Sequence, residues 1–291
     1  MNSSLFEKKQ LKHLAFTLKC KPTEILNLCS NIEKSYGHRY EVKENKATGK
    51  VKTYSDGTVK KRPINTAYGR LEELQKRIKN QIFRKIKFPE HIQGGVKGKT
   101  NISNAKAHQG KKYILTTDLS DCFPNVSSRM VNKAFLDLGY SDIQATWLTK
   151  LTTYNHCLPQ GTRTSPYLAN LCLLPLDFEL LKFSKRHGIT YTRYVDDLTF
   201  SSPEDFTNVI SEIIDTIIGH NMKISWRKTI YSGKQNITGI DIYNNYIDAT
   251  EKLKEKARQE ISSNSEYKPI SDYISRIHRT NTGVIKVHNK H

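Results

Sequence analysis

Three aspartates carry the chemistry open to this sequence. Asp196 and Asp197 are adjacent, and their flanks, Ile189–Tyr194 and Leu198–Ser201, are rich in β-branched and aromatic residues. That pattern predicts a hairpin with two carboxylates at its tip. Neighbouring carboxylates repel and a tight turn gains nothing from the second, so the pair points to a neutralising cation, and oxygen-only ligands favour Mg²⁺. Taken alone, the dipeptide also fits a solvated turn, where Asp is common. Asp118 ends the segment Lys112–Thr117, which reads as a buried strand. A carboxylate there faces the usual ligand crevice of an α/β sheet, although a turn-initiating Asp is an ordinary alternative. Together the three supply the inventory for nucleotidyl transfer by two metal ions, held about 3.5–4 Å apart by bridging carboxylates.

The charge agrees with a phosphate-bearing partner. The 291 residues include 47 Lys and Arg against 28 Asp and Glu, a formal charge of +19. Basic residues run along the whole length, at Lys8-Lys9, Lys60-Lys61-Arg62, Arg84–Lys87 and Lys252–Arg258. Any single cluster fits a solvated face, but the global excess favours a polyanion. No window approaches the ~18 apolar residues of a membrane span, and the N-terminus lacks a signal peptide's apolar core. Five scattered cysteines without a C-x-x-C pair, and ten histidines without zinc spacing, predict a reduced cytoplasmic protein with no structural metal.

Periodicity and punctuation give the elements that must position these residues. Ser4-x-x-Glu7 starts a predicted helix that Leu5, Leu11, Leu14, Ala15 and Leu18 carry to Lys19, and a second helix is predicted over Thr23–Ser35. Tyr40–Tyr54 and Thr58–Ile64 read as strands joined around Ser55-Asp56-Gly57, a ribbon bearing Lys50, Lys52, Lys60, Lys61 and Arg62. Leu71, Leu74, Ile78, Ile82 and Ile86 mark the apolar face of a helix over Tyr68–Lys87. His91–Thr100 is a Gly-rich basic loop suited to phosphates but without P-loop order. Helices are expected over Ser128–Leu138 and Asp142–Tyr154, then one long helix from Ser165 to His187, kinked at Pro175. After the hairpin come a helix opened by Ser202-Pro203, strands over Met222–Ser232 and Ile237–Tyr243, and basic helices opened by Thr250 and Ser271.

On these residues the sequence resembles the reverse transcriptases. Tyr194-Val-Asp-Asp197 is similar to their Y-x-D-D signature, Asp118-Leu-Ser-Asp-Cys-Phe123 to their first catalytic motif, D-x-x-x-x-[F/Y], and Leu158-Pro-Gln-Gly-Thr-Arg-Thr-Ser-Pro166 to their [LP]QG-x-x-x-SP element. Order and spacing agree, over roughly Tyr54 to Gly239. Asn104-Ala-Lys-Ala-His108 and Ile237-Thr-Gly239 resemble the N-A-x-x-H and V-T-G elements of bacterial retron members. The short chain without a maturase, endonuclease or RNase H region is also what that group implies. Val195 stands where Ala is more usual, Cys122 where an aromatic often stands, and Arg163 charges a usually neutral loop, but every catalytic group is present.

The resemblance implies an α+β right-hand polymerase: an N-terminal region with fingers over 1–112, a palm over 113–243 with finger helices near 128–155, and a helical thumb over 244–291. It implies that Asp118, Asp196 and Asp197 hold two Mg²⁺ ions. Phe123 lies under the incoming sugar and selects dNTPs, and Gln160 and Gly161 border nucleotide and template. Arg62 with Lys60 or Lys61 holds the triphosphate, Arg62 being favoured for its bidentate geometry, and Lys228 lies near the leaving group. Tyr194, Thr238 and Gly239 meet primer and template, while Asn104, His108, Lys97 and Lys99 meet RNA. The implied partner is a structured noncoding RNA, copied in part into single-stranded DNA (msDNA) from a 2′-hydroxyl primer, with a defence effector protein beside it. The rival readings are a group II intron or diversity-generating reverse transcriptase, and a catalytically silent RNA-binding scaffold.

Overall fold

The computed structural model describes residues 2–44, 51–54, 56–233, 236–263 and 266–281; Lys50, Ser55 and the last ten residues of the expected thumb lie outside them. Helix α1 (Asn2–Thr17) buries Leu11 and Leu14. Helix α2 (Pro22–Ser30) stops short of the predicted Ser35 because Asn31 leaves helical geometry, at φ −132° and ψ 31°, and a 3₁₀ turn takes over. Strands β1 (Tyr36–Val42) and β2 (Lys61–Ala67) pair antiparallel from Tyr36↔Ala67 to Val42↔Lys61. The ribbon therefore starts nearer α2 than predicted and runs on past Ile64, anchored by buried Tyr36 and Ala67.

Helix α3 (Gly69–Gln81) carries the expected buried face, Leu71, Leu74 and Ile78. It ends before Lys87 because the chain tightens into a 3₁₀ turn at Phe83–Lys85. The short helix α4 (Asn101–Lys106), unexpected from sequence, is nucleated by reciprocal capping between Thr100 and Ser103. Then follow β3 (Tyr113–Asp118), α5 (Cys122–Asn125), α6 (Ser128–Asp137) and α7 (Asp142–Thr152), the last two capped by Ser127 and Ser141. The predicted long helix is two, α8 (Ser165–Cys172) and α9 (Leu174–Arg186), since Pro175 has no N–H to give the carbonyl of Leu171.

Strands β4 (Thr190–Tyr194) and β5 (Asp197–Ser202) form the expected hairpin. Helix α10 (Ile210–Gly219) starts later than Ser202, after a 3₁₀ turn at Thr207–Val209. Of the predicted strand Met222–Ser232 only Ile230–Ser232 forms a strand, β6, because Trp226–Lys228 forms a 3₁₀ turn. The next predicted strand splits into β7 (Asn236–Ile237) and β8 (Ile240–Ile242) around Thr238 and Gly239, both at positive φ. Strand β9 (Ile247–Ala249) lies in a stretch expected to be helical. Helices α11 (Glu251–Ser262), capped by Thr250, and α12 (Pro269–Arg279) complete the described chain.

The fold is α+β, and its contacts group into two units. The first, Met1–Lys87 with Asp121–Leu174, holds the β1–β2 ribbon and a group of helices that includes α6 and α7. The second, Phe88–Ser120 with Pro175–His291, contains an antiparallel sheet in the order β4-β5-β3-β6 and a three-stranded sheet β7-β8-β9. Segment 88–112, grouped with the fingers in the sequence reading, packs in the second unit, where Ile102 and Ala105 of α4 join Ile114, Ile240, Ile247 and Ile277 in one apolar cluster. No described helix is long and apolar enough to cross a membrane.

Candidate active site

Sheet register brings the three aspartates together. Strand β3 runs antiparallel to β5 with Asp118 opposite Asp197, so the end of one strand meets the start of the other. Asp196 occupies the hairpin tip between them, and its carbonyl accepts from the Leu119 N–H at 2.9 Å. One carboxylate oxygen from each of Asp118, Asp196 and Asp197 lies within 4.8 Å of the others. Asp118 is buried, and the other two are half-buried. Burial first, and then the charges of Asp196 and Asp118, push the pKa of Asp197 up to about 7. Lys228 offsets part of this repulsion, its Nζ 2.5 Å from Asp118 Oδ1. The main chain holds that lysine's turn in place, since Ser225 N–H donates to the Asp118 carbonyl at 2.8 Å. Three clustered carboxylates, short of positive charge and without nitrogen or sulfur donors, fit a hard divalent cation.

A pocket of the first unit collects the residues expected around a nucleotide. Arg62 and Ile64 of β2, Phe123 of α5, and Gln160, Gly161, Thr162, Ser165 and Pro166 line a cavity of about 210 Å³. The Gln160 carbonyl accepts from Asn65 N–H at 2.8 Å, which ties the loop to the ribbon. Gly161 has φ +101°, and a Cβ there would stand 2.8 Å from Ile64 Cγ2, so both backbone and space require glycine. Behind it, Ser165 Oγ donates to the Pro159 carbonyl at 2.6 Å and lies 2.7 Å from Thr162 Oγ1, a buried brace for the loop. Lys61 is exposed on β2, and Lys60 places its Nζ 4.7 Å from the Tyr54 ring centroid; neither lines the pocket.

The remaining predicted residues divide by burial. Asn104 and His108, expected to meet RNA, are fully buried, and their polar atoms are engaged inside the second unit. Thr192 Oγ1 donates to Asn104 Oδ1 at 2.7 Å, so its single proton is committed, and His108 Nε2, 2.7 Å away, must donate to it. His108 Nδ1 then accepts from Ser201 Oγ at 2.6 Å. Burial, with the Lys111 charge second, holds the His108 pKa down at about 3. These side chains support the β4–β5 hairpin rather than offering a surface. Lys99 is bound to Glu90, 2.8 Å from its carboxylate, while Lys97 is exposed. Thr238 accepts from Asn101 Nδ2 through its carbonyl at 3.1 Å, Gly239 is exposed, and Tyr194 is half-buried beside Asp197.

Residues 43–242 match the family model described as reverse transcriptase (RNA-dependent DNA polymerase). The chain belongs to that family. Within it, the sequence is similar to retron members. It is 32% identical to the retron Se72 reverse transcriptase of Salmonella heidelberg over 62% of this chain and 51% of that protein. It is 33% identical to the Escherichia coli retron Ec86 and Ec48 reverse transcriptases, over 59% and 58% of this chain and 55% and 45% of those proteins. The chain thus spans about half the length of these relatives. Among solved structures, apo telomerase from Candida tropicalis, truncated from its C-terminal domain, aligns at a TM-score of 0.46 and 11% identity, over 77% of this chain and 59% of that one.

In this family member, sequence reasoning missed Asp177, Arg193 and Gly94. Asp177 shares the apolar face of α9 with Leu176 and Leu180, and Arg193 sits inside a strand that is otherwise apolar or hydroxylic. Opposite charges at two core positions were a legible signal, because unpaired buried charges are rare.

Proposed function

We propose that the protein is an RNA-directed DNA polymerase of the retron type, using two Mg²⁺ ions held by Asp118, Asp196 and Asp197. The observation that carries this reading is the carboxylate cluster itself, formed by the pairing of Asp118 with Asp197 and by the tip residue Asp196. When bound, the ions lower the pKa of the attacking primer hydroxyl and stabilise the leaving pyrophosphate. The chain supplies the rest. Lys228, which holds Asp118, would also stand near the leaving phosphate. Arg62 holds phosphate oxygens with its planar fork, supported by Lys60 and Lys61. Phe123 closes the space where a 2′-hydroxyl would stand, and Gln160 and Gly161 let the backbone approach the nucleotide. Tyr194, Thr238 and Gly239 serve primer and template, and Lys97 serves RNA.

The domain reading goes with it: residues 1–87 and the helices near 128–155 as fingers, 113–243 as palm with 88–112 joined to it, and 244–291 as thumb. The retron likeness further supports a structured noncoding RNA as template, single-stranded DNA (msDNA) as product, and service in phage defence with an effector partner. Primer extension on an RNA template with Mg²⁺, comparing dNTPs with rNTPs, tests the reading. Extension with dNTPs alone, lost in Asp196→Asn with Asp197→Asn, is the expected result. Tight RNA binding without extension, even on the RNA encoded beside the gene, would leave a silent scaffold.

A further inference from the structure

The tip of the hairpin holds an unfavourable backbone. Tyr194 and Asp197 close the β4–β5 ladder, which leaves Val195 and Asp196 as a two-residue loop. Val195 has φ +61°, at the first loop position, where such turns favour glycine. A β-branched residue in the left-handed region is an outlier that its surroundings must enforce.

The enforcing contacts are buried and specific. Arg193 Nη1 donates to the Val195 carbonyl at 2.8 Å. Its Nε and Nη2 fork onto Asp177, at 2.8 Å to Oδ1 and 2.6 Å to Oδ2, and Tyr191 Oη donates to Oδ1 at 2.8 Å. Arg193 and Asp177 are 0% exposed. From the other side, the backbone of Gly94 lies so close that a Cβ would stand 2.4 Å from Val195 N. The two carbonyls of the turn are therefore both fixed, Val195 by Arg193 and Asp196 by the Leu119 N–H.

We propose that the Asp177–Arg193 pair is a positioning device for the metal site: it holds Val195 in the left-handed conformation and so fixes the Asp196 carboxylate beside Asp118 and Asp197. This rests on the triad's being the metal ligands. A purely structural ion pair between α9 and β4 would stabilise the fold without caring which conformation Val195 adopts. The two roles separate by rescue, because glycine adopts positive φ freely.

The test uses the full chain, with Mn²⁺ as probe of the cation site by electron paramagnetic resonance. Removing one charge strands the other, so two backgrounds are needed. Arg193→Lys keeps a counter-charge for Asp177 but cannot supply the fork and the Val195 bond together. Tyr191→Phe with Asp177→Leu and Arg193→Met replaces the whole polar group by apolar residues. In either background that unfolds cooperatively, Mn²⁺ affinity should fall about 10–100-fold, the usual effect of losing a group that orients a metal ligand. Adding Val195→Gly should return it to within about threefold of wild type. Without metal, amide exchange at Leu119 should accelerate in the same backgrounds and slow again with Val195→Gly. Wild-type Mn²⁺ affinity in a folded variant lacking the pair, or a loss that Val195→Gly leaves unrestored, overturns the proposal. Wild-type Mn²⁺ binding that survives Asp196→Asn with Asp197→Asn removes the reading of the triad instead.

Discussion

Two polar clusters adjoin the β4–β5 hairpin, with opposite bookkeeping. At its tip, Asp118, Asp196 and Asp197 bring three acids together with Lys228 bound to Asp118, and burial first, then the neighbouring acids, let Asp197 hold its proton up to about pH 7. Along its length, His108, Asn104, Thr192 and Ser201 form a chain in which each donor meets an acceptor, and His108 stays neutral. A matched network rigidifies what surrounds it; an unmatched set of charges is tolerated where a ligand completes it. On the proposed reading the first cluster serves chemistry, while the second supports the hairpin, although sequence alone put both at binding surfaces.

The largest effect should come from the unmatched cluster. Asp196→Asn with Asp197→Asn should lower primer extension by at least about 10³-fold, several kcal/mol of lost transition-state stabilisation. The same change should raise metal-free unfolding stability, by about 1 kcal/mol, as like charges are relieved. A loss of stability in urea unfolding would show that the acids are matched after all. In the support cluster the sign reverses. His108→Ala should cost about 3 kcal/mol, because it opens a cavity and leaves the Thr192 and Ser201 hydroxyls without their imidazole partner. Its Mn²⁺ affinity, measured on the folded fraction, should stay near wild type.

Cation should stabilise only the tip. Mg²⁺ at about a hundred times its dissociation constant should add about 2–3 kcal/mol to wild-type stability and nothing to the Asn variant, read as a melting shift. A pH series sharpens the support side. His108 titrates near 6.5 when unfolded but at about 3 when folded, so the unfolded chain binds the extra proton. Its contribution is complete above about pH 6.5 and is lost as pH falls toward 3, by at most about 1.4 kcal/mol per pH unit. The stability gap between wild type and His108→Gln, followed by urea unfolding from pH 7.5 to 4.5, should therefore narrow; a constant gap would mean that folding leaves the His108 pKa unshifted.

Much of the site was legible because its signals are local. Asp196-Asp197 between two β-branched runs specifies a hairpin with acids at the tip, and the apolar strand before Asp118 specifies a strand-end carboxylate. Helix starts with capping residues, at Ser141 and Thr250, were equally readable, since the cap and its N–H partners are neighbours in sequence. Where the reading ran long, at α3 and α8, the apolar period continued past the point at which backbone geometry or Pro175 stopped the helix.

By itself the sequence determined the chemical inventory: the three acids, the basic excess, the aromatic Phe123 and the glycine of the Gln160-Gly161 loop. Only the tertiary structure decided which of these meet. Asp118 faces Asp197 because β3 and β5 pair in one register, and a slip of one residue would turn its side chain to the other face. Burial likewise made Asn104 and His108 internal, and paired Arg193 with Asp177 from another element. Residue types and spacing encode local conformation, whereas strand partners and burial are set by contacts between segments far apart in the chain, which no local pattern contains.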